Sequence, residues 1–182
     1  MPDIADLKGM LGGLVTAMGG HTDIPSGTAP IEKLDVERYL GTWYEIARLD
    51  HSFERGLSCV TATYEARADG GIKVINRGYD TQKEEWDEAE GKAYFDDKHK
   101  PNGRLKVSFF GPFYGGYNIL YLDESYRHAL VAGPSHDYLW ILSRTPTMAE
   151  ADFTALVDFA RDKGFDVDGL IMVDHESSCP AH

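Results

Sequence analysis

The chain has 182 residues and a formal net charge of −12, from 30 Asp and Glu against 18 Lys and Arg. This length can bury the core of one domain plus a short appendage. The negative balance argues against nucleic acid and against docking on anionic lipid, since both reward clustered Lys and Arg, so a cargo held by burial is expected. The two cysteines, Cys59 and Cys179, have no Cys-x-x-Cys or closely spaced His pair with which to build a zinc site. Either they are unpaired thiols, or they form a disulfide that pins the C-terminal tail and stabilises by about 4 kcal/mol in the chain-entropy model. Such a bond implies an oxidising compartment.

In chain order, Ile4, Leu7, Leu11, Leu14 and Met18 recur at spacings of three and four, which is one stripe of a helix. Five glycines within residues 1–20 make that helix marginal unless it packs on something. Asp3 and Asp6 spoil the basic start of a signal peptide. Residues 21–30 are rich in turn formers and read as a linker. We therefore expect an N-terminal extension over 1–30 and one domain over 31–182.

From residue 42 onward, short segments of alternating polarity are separated by turn signals, the pattern of an antiparallel sandwich or barrel. Strands are predicted at about 42–49, 57–67, 71–79, 88–96, 104–111, 115–122, 127–133 and 137–144. Beyond the eighth, the period lengthens to 3.6. Thr147 and Glu150 read as a capping box, and Phe153, Leu156, Val157 and Ala160 form an apolar stripe that stops at Gly164. A short apolar strand, Leu170 to Val173, then leads to Cys179.

Eight antiparallel strands can close into a barrel that holds its own side chains or one small ligand. Alternation along each strand predicts which residues face inward. From Trp43 it assigns Glu45, Ala47 and Leu49; elsewhere it assigns Val60, Ala62, Tyr64, Ala66, Ile72, Val74, Asn76, Gly78, Ala89, Gly91, Ala93 and Phe95. Leu105, Val107, Phe109, Tyr117, Ile119, Tyr121, Ala129, Val131, Tyr138, Trp140, Leu142 and Arg144 follow on the later strands. Many of these are Ala or Gly, so volume is left unfilled and a mostly apolar cavity with Tyr, Asn and Trp handles is expected. Arg144 is expected over the Trp43 indole as a cation–π contact that plugs one end.

Gly41-x-Trp43-Tyr44-Glu45, the Asp137-Tyr138 pair, Arg144 and the helix after it resemble the signature regions of the lipocalins. Tyr39 to Arg48, His51-x-Phe53-Glu-Arg-Gly56, Lys106 to Asn118 and Tyr138 to Pro146 are similar to the bacterial subgroup of outer-membrane lipoprotein type. The resemblance covers about residues 34–173. It implies an eight-stranded up-and-down barrel with one outer α-helix, binding a fatty acid, lysophospholipid or similar hydrophobe, with Trp140 as the interior tryptophan of the last strand. Lipid-anchored members carry an acylated N-terminal cysteine, which this sequence does not show. Cys59 and Cys179 resemble the disulfide of some animal and plant relatives.

The expected ligand contacts are Tyr64, Asn76, Val107, Phe109, Tyr117, Tyr138 and Trp140, with Gly41, Trp43 and Arg144 structural. No cofactor or metal is expected, because His51, His99, His128 and His136 share no ligand spacing. Ser135-His136-Asp137 is contiguous, so its side chains diverge and cannot make a triad. A haem or bilin is the alternative cargo. An enzyme acting on bound lipid is the competing class, with Glu45, His51 and Cys59 as its candidates. A homodimer and membrane association without a transmembrane helix remain open partners. The resemblance places the chain in the periplasm or at the outer membrane, with the cytoplasm as the alternative.

Overall fold

Each predicted alternating segment forms a strand, and consecutive strands pair. The computed structural model describes residues 21–51 and 54–181, so the stripe read over residues 1–20 lies outside the described residues. The strands are β1 (Gly41–Leu49), β2 (Leu57–Ala66), β3 (Ile72–Asp80), β4 (Glu85–Phe95), β5 (Arg104–Phe110), β6 (Phe113–Leu122), β7 (His128–Ala132) and β8 (Leu139–Ser143). Neighbours pair antiparallel throughout, and β1 pairs with both β8 and β2, closing an eight-stranded up-and-down barrel. A single-turn helix α1 (Val36–Tyr39), capped by the Asp35 side chain, precedes the barrel. The helix α2 (Glu150–Asp162) and the short strand β9 (Leu170–Met172) follow it.

The wall separates two apolar clusters. Inside are Trp43, Tyr64, Ile72, Val74, Ala93, Leu105, Val107, Ile119, Ala129, Val131, Trp140 and Leu142, as alternation requires. Outside, Leu130, Leu139 and Ile141 pack with Leu156 and Ala160 of α2. The helix begins later than its sequence signal suggests: Ala149 occupies the N-cap without a side-chain bond. The Thr147 carbonyl instead accepts from the Thr145 hydroxyl at 2.7 Å. The predicted capping box is therefore not formed. At the far end Gly164 adopts φ +91°, and the Phe165 amide donates to the Ala160 carbonyl at 3.1 Å, closing a Schellman motif as the glycine signal predicts.

Two bulges overturn part of the predicted facing. In β1, Glu45 pairs with Leu142 and Ala47 with Ile141, leaving Ile46 as an extra residue. Ala47 and Leu49 consequently pack outside, and Arg48, opposite Trp140, turns inward. In β6 a second shift between Ile119 and Tyr121 sends Tyr121 outward, where it meets Phe159 of α2 at 5.7 Å between ring centroids.

One end of the barrel is sealed by side chains of α1, β1 and β8. The Trp43 indole is fully buried and donates to the Tyr39 carbonyl at 2.9 Å. The Arg144 guanidinium lies 3.9 Å from its ring centroid and donates to three carbonyls, of Arg38, Thr42 and Tyr126. Gly41 has φ +98°, and a Cβ there would lie 3.3 Å from Arg144 Nη1, so the predicted glycine meets two constraints.

The segment read as a linker lies against the barrel wall. The Gly116 amide donates to the His21 carbonyl at 2.9 Å. Asn118, fully buried, donates from its side chain to the carbonyls of Asp23 and Gly133. Ile31 is tied to Gly103 and Ile119 through the backbone.

β9 fills the place that β1 leaves beside β2. β1 pairs with β2 only over Gly41–Tyr44, and from Ala47 to Leu49 it pairs with β9 instead. Beyond β9, the Cys59 amide donates to the Asp174 carbonyl at 2.8 Å. Cys59, at φ 56° in the β2 bulge, is disulfide-bonded to Cys179, so the unpaired-thiol alternative falls away.

The cross-link spans 120 residues. Cys179→Ala is expected to cost about 3–4 kcal/mol of unfolding free energy, read as a lower denaturant midpoint, and to expose the 174–181 tail to proteolysis. Arg144→Ala is expected to cost about 2–3 kcal/mol through the lost cation–π contact and three orphaned carbonyls. Arg144→Lys should recover less than half, because an ammonium cannot reach three carbonyls from above a ring.

Candidate functional site

The interior faces of the strands enclose a cavity between the sealed end and the mouth. It is lined by Glu45, Glu54, Val60, Thr61, Ala62, Tyr64, Val74, Asn76, Val107, Phe109, Gly116, Tyr117, Val131, Trp140 and Leu142. The empty space is ≈ 630 Å³ including solvent at the mouth, of which ≈ 70 Å³ is open to the centre of a water-sized sphere. The smaller figure describes the interior itself, and one water needs roughly 10–15 Å³ on that measure. The free interior is thus small, smaller than the run of small residues suggests. Part of the reason is that Leu57 and Val60 lie over Gly78: a Cβ there would meet both side chains at 3.2 Å. Val173 and Ala89 complete that cluster.

Of the residues expected to touch a ligand, Tyr64, Asn76, Val107, Phe109, Tyr117 and Trp140 all lie on the lining. Tyr138 does not; it stacks on Trp140, with centroids 6.3 Å apart and planes at 19°. Toward the sealed end the Tyr64 hydroxyl meets that of Tyr117 at 2.8 Å, and the Tyr117 hydroxyl also meets that of Tyr39. Burial pushes all three phenols above the ordinary tyrosine range, so the tyrosine hydroxyls stay neutral.

At the mouth lies a buried cluster that the sequence reading only half anticipated. Glu45 and the inward-turned Arg48 pair at 3.2 Å. Glu54, delivered by the β1–β2 loop, is 3% exposed. Its Oε1 accepts from Trp140 Nε1 at 3.2 Å and lies 3.3 Å from His51 Nε2, while Oε2 is 3.7 Å from Arg48 Nε. Arg48 also donates to the Glu54 carbonyl at 2.7 Å, which holds the loop down. Burial raises the Glu45 carboxyl well above the usual range, and the neighbouring Glu54 charge adds to that. Burial acts in the same direction on Glu54, but hydrogen bonds with His51 and Glu45 and the Arg48 charge outweigh it and hold Glu54 low. The pair therefore divides into a proton-holding Glu45 and an ionised Glu54. Parity alone misplaced Arg48, and no periodicity reaches Glu54 because it sits in a loop; the His51-x-Phe53-Glu54-Arg55-Gly56 block was its only signal.

The other singled-out residues are accounted for structurally. His136 Nε2 donates to the Lys163 carbonyl at 2.9 Å, anchoring the end of α2. Cys59 offers no thiol, being bonded. Among the described residues no group of three or more His, Cys, Asp or Glu is placed to hold a metal ion.

A closed antiparallel barrel with one sealed end, an apolar interior and one outer helix defines a class of container proteins. The chain matches the lipocalin-like domain over residues 34–175 and belongs to the lipocalin family, whose members bind small hydrophobic ligands. It is 56% identical to outer membrane lipoprotein Blc of Citrobacter freundii over 160 residues, covering 88% of this chain and 89% of that protein. To outer membrane lipoprotein Blc of Escherichia coli K12 it is 54% identical over 165 residues, 91% of this chain and 92% of the relative. Among solved structures, insecticyanin of the tobacco hornworm Manduca sexta superposes with a TM-score of 0.66 at 18% identity, covering 87% of this chain and 89% of that one, a likeness of fold.

The Glu45 carboxyl makes stability depend on pH. A carboxyl whose pKa is higher in the folded chain holds its proton more tightly there. Its contribution is full below the unfolded value of about 4.3 and is lost as pH rises through the folded one. Glu45→Gln, which mimics the protonated form, is expected to gain stability over the wild type progressively as pH rises above that range, read from denaturant midpoints across a pH series.

Proposed function

We propose that this protein binds and carries a single-chain lipid, a fatty acid or a lysophospholipid, with the alkyl chain in the barrel and no chemical step performed on it. The observation that carries the reading is the small, mostly apolar cavity inside the barrel, sealed at Trp43 and Arg144. An alkyl chain is a narrow cylinder suited to a small apolar interior, and burying each methylene contributes about 0.8 kcal/mol. A haem or bilin is the bulkier cargo for so small a free interior. Tyr64, Asn76, Val107, Phe109, Tyr117 and Trp140 are the proposed contacts, and Tyr138 holds the Trp140 ring in place from behind. The bonded state of Cys59 removes the thiol candidate for catalysis and favours carriage. The Cys59–Cys179 disulfide requires an oxidising compartment, and together with the outer-membrane names of the relatives it supports a place in the cell envelope.

Titrating delipidated protein with a fatty acid and with a lysophospholipid is expected to change tryptophan emission saturably. The change should be lost in Trp140→Phe while binding, followed by calorimetry, persists. Absence of binding by every single-chain lipid tried, with coloured tetrapyrrole retained instead, would overturn the reading.

A further inference from the structure

The mouth of the channel carries a charge pattern that an apolar container does not need. Of the fifteen lining residues, Glu45 and Glu54 are acidic and none is Lys, Arg or His. Arg48 is not on the lining. It is spent on Glu45 Oε1, the Glu54 carbonyl and, at 3.7 Å, Glu54 Oε2.

Glu54 is 97% buried, since only 3% of it is exposed, yet its Oε2 accepts no hydrogen bond from any nitrogen or hydroxyl among the described residues. His51, with a side chain 8% exposed, satisfies neither ring nitrogen by a well-formed hydrogen bond. Of the six buried side-chain atoms left in this state, four belong to Arg48, His51 and Glu54. Such atoms destabilise a fold by about 1–3 kcal/mol each when nothing fills the valence. Arg48 Nε faces Glu54 Oε2 at 3.7 Å and His51 Nε2 faces Glu54 Oε1 at 3.3 Å, contacts of charge rather than well-formed hydrogen bonds, and of the three residues Glu54 alone lines the cavity, where a ligand's donor can complete its bonding.

We propose that Glu54, with Glu45 beside it, is the head-group selector of this channel, and that it takes a hydrogen-bond donor, an ammonium or a hydroxyl, in preference to a carboxylate. The inference rests on the single-chain lipid reading above and narrows it. A donor satisfies Glu54 Oε2 directly, and an ammonium is further held by the second carboxyl group. A carboxylate brought to the same wall adds a third acidic group with no free cation to meet it, so an anionic head is left outside the mouth and its chain sits less deeply.

Three ligands of equal chain length separate the terms: dodecylamine, dodecanol and dodecanoate, titrated into delipidated protein at about pH 7, where the amine is charged and the acid ionised. The amine and the alcohol are expected to bind about tenfold or more tightly than the acid, which is about 1.4 kcal/mol. In Glu54→Gln, nearly isosteric and uncharged, that ratio should shrink to within about threefold. Asp137→Asn, at an exposed position beside Tyr138, removes the same unit of charge and should leave the ratio as in the wild type. A response of Asp137→Asn equal to that of Glu54→Gln would assign the preference to the protein's overall negative field and overturn the proposal. So would equal or tighter binding of dodecanoate by the wild type. If Glu54→Gln fails to fold, Glu54→Asp serves: it keeps the charge but withdraws the carboxylate by one methylene, so the ratio should shrink, and a ratio as in the wild type would overturn the proposal. Failure of all three ligands to bind the wild type would instead strike at the single-chain lipid reading itself.

Discussion

The extra residue at Ile46 in β1 decides what the barrel can be. A strand keeps one face inward only while its pairing advances one residue for one, and the bulge breaks that count. Before it, Trp43 and Glu45 look inward; after it, Arg48 does, while Ala47 and Leu49 turn to the outer cluster around α2. The same bend carries β1 away from β2, so the wall would gape between them. β9 and the tail fill that gap: the Val173 amide donates to the Ile46 carbonyl at 3.0 Å, His175 donates to the Glu45 carbonyl at 2.7 Å, and Cys179 is bonded to Cys59 in the opposite strand. The disulfide therefore does more than shorten the unfolded chain. It fastens the patch that closes the wall.

The two ends of the channel solve the problem of buried polarity differently. At the sealed end every strong donor has an acceptor: Arg144 reaches three carbonyls, the Trp43 indole reaches one, and the tyrosine hydroxyls bond to one another. Such an end has the Arg144 guanidinium bonded through all three nitrogens and its phenols neutral. At the mouth, Arg48 and Glu54 hold the β1–β2 loop inside, but the bonding is incomplete and one carboxyl keeps a proton it would lose in water. A satisfied polar network stiffens a fold, whereas a partly satisfied one beside a cavity is open to a partner. Closure and recognition are thus divided between opposite ends of one barrel.

Much of this was legible in the residues. Turn signals marked the strand limits, alternation named the interior of β2, β3, β4, β5, β7 and β8, and Gly41, Trp43 and Arg144 were recognisable as a floor before any coordinates. These are local properties: a pleated strand repeats every two residues, and a short turn needs particular side chains. The misreadings have two causes. Ala47, Leu49 and Tyr121 were assigned inward because a bulge leaves no mark in a pattern of period two, and Thr147 was read as a cap because its spacing to Glu150 fits a motif the backbone does not adopt.

The sequence by itself determined a barrel of eight strands, its outer helix, its floor and the aromatic and Asn handles along the channel, because each follows from neighbours within a few positions. Tertiary structure alone decided that Arg48 turns inward and that Glu54 reaches it from a loop. It also decided that β9 completes the wall, that residues 21–31 lie against β6, and that the free interior is small. Each of these depends on where distant segments meet, and on the low dielectric of the interior into which Glu45, Arg48, His51 and Glu54 are brought together.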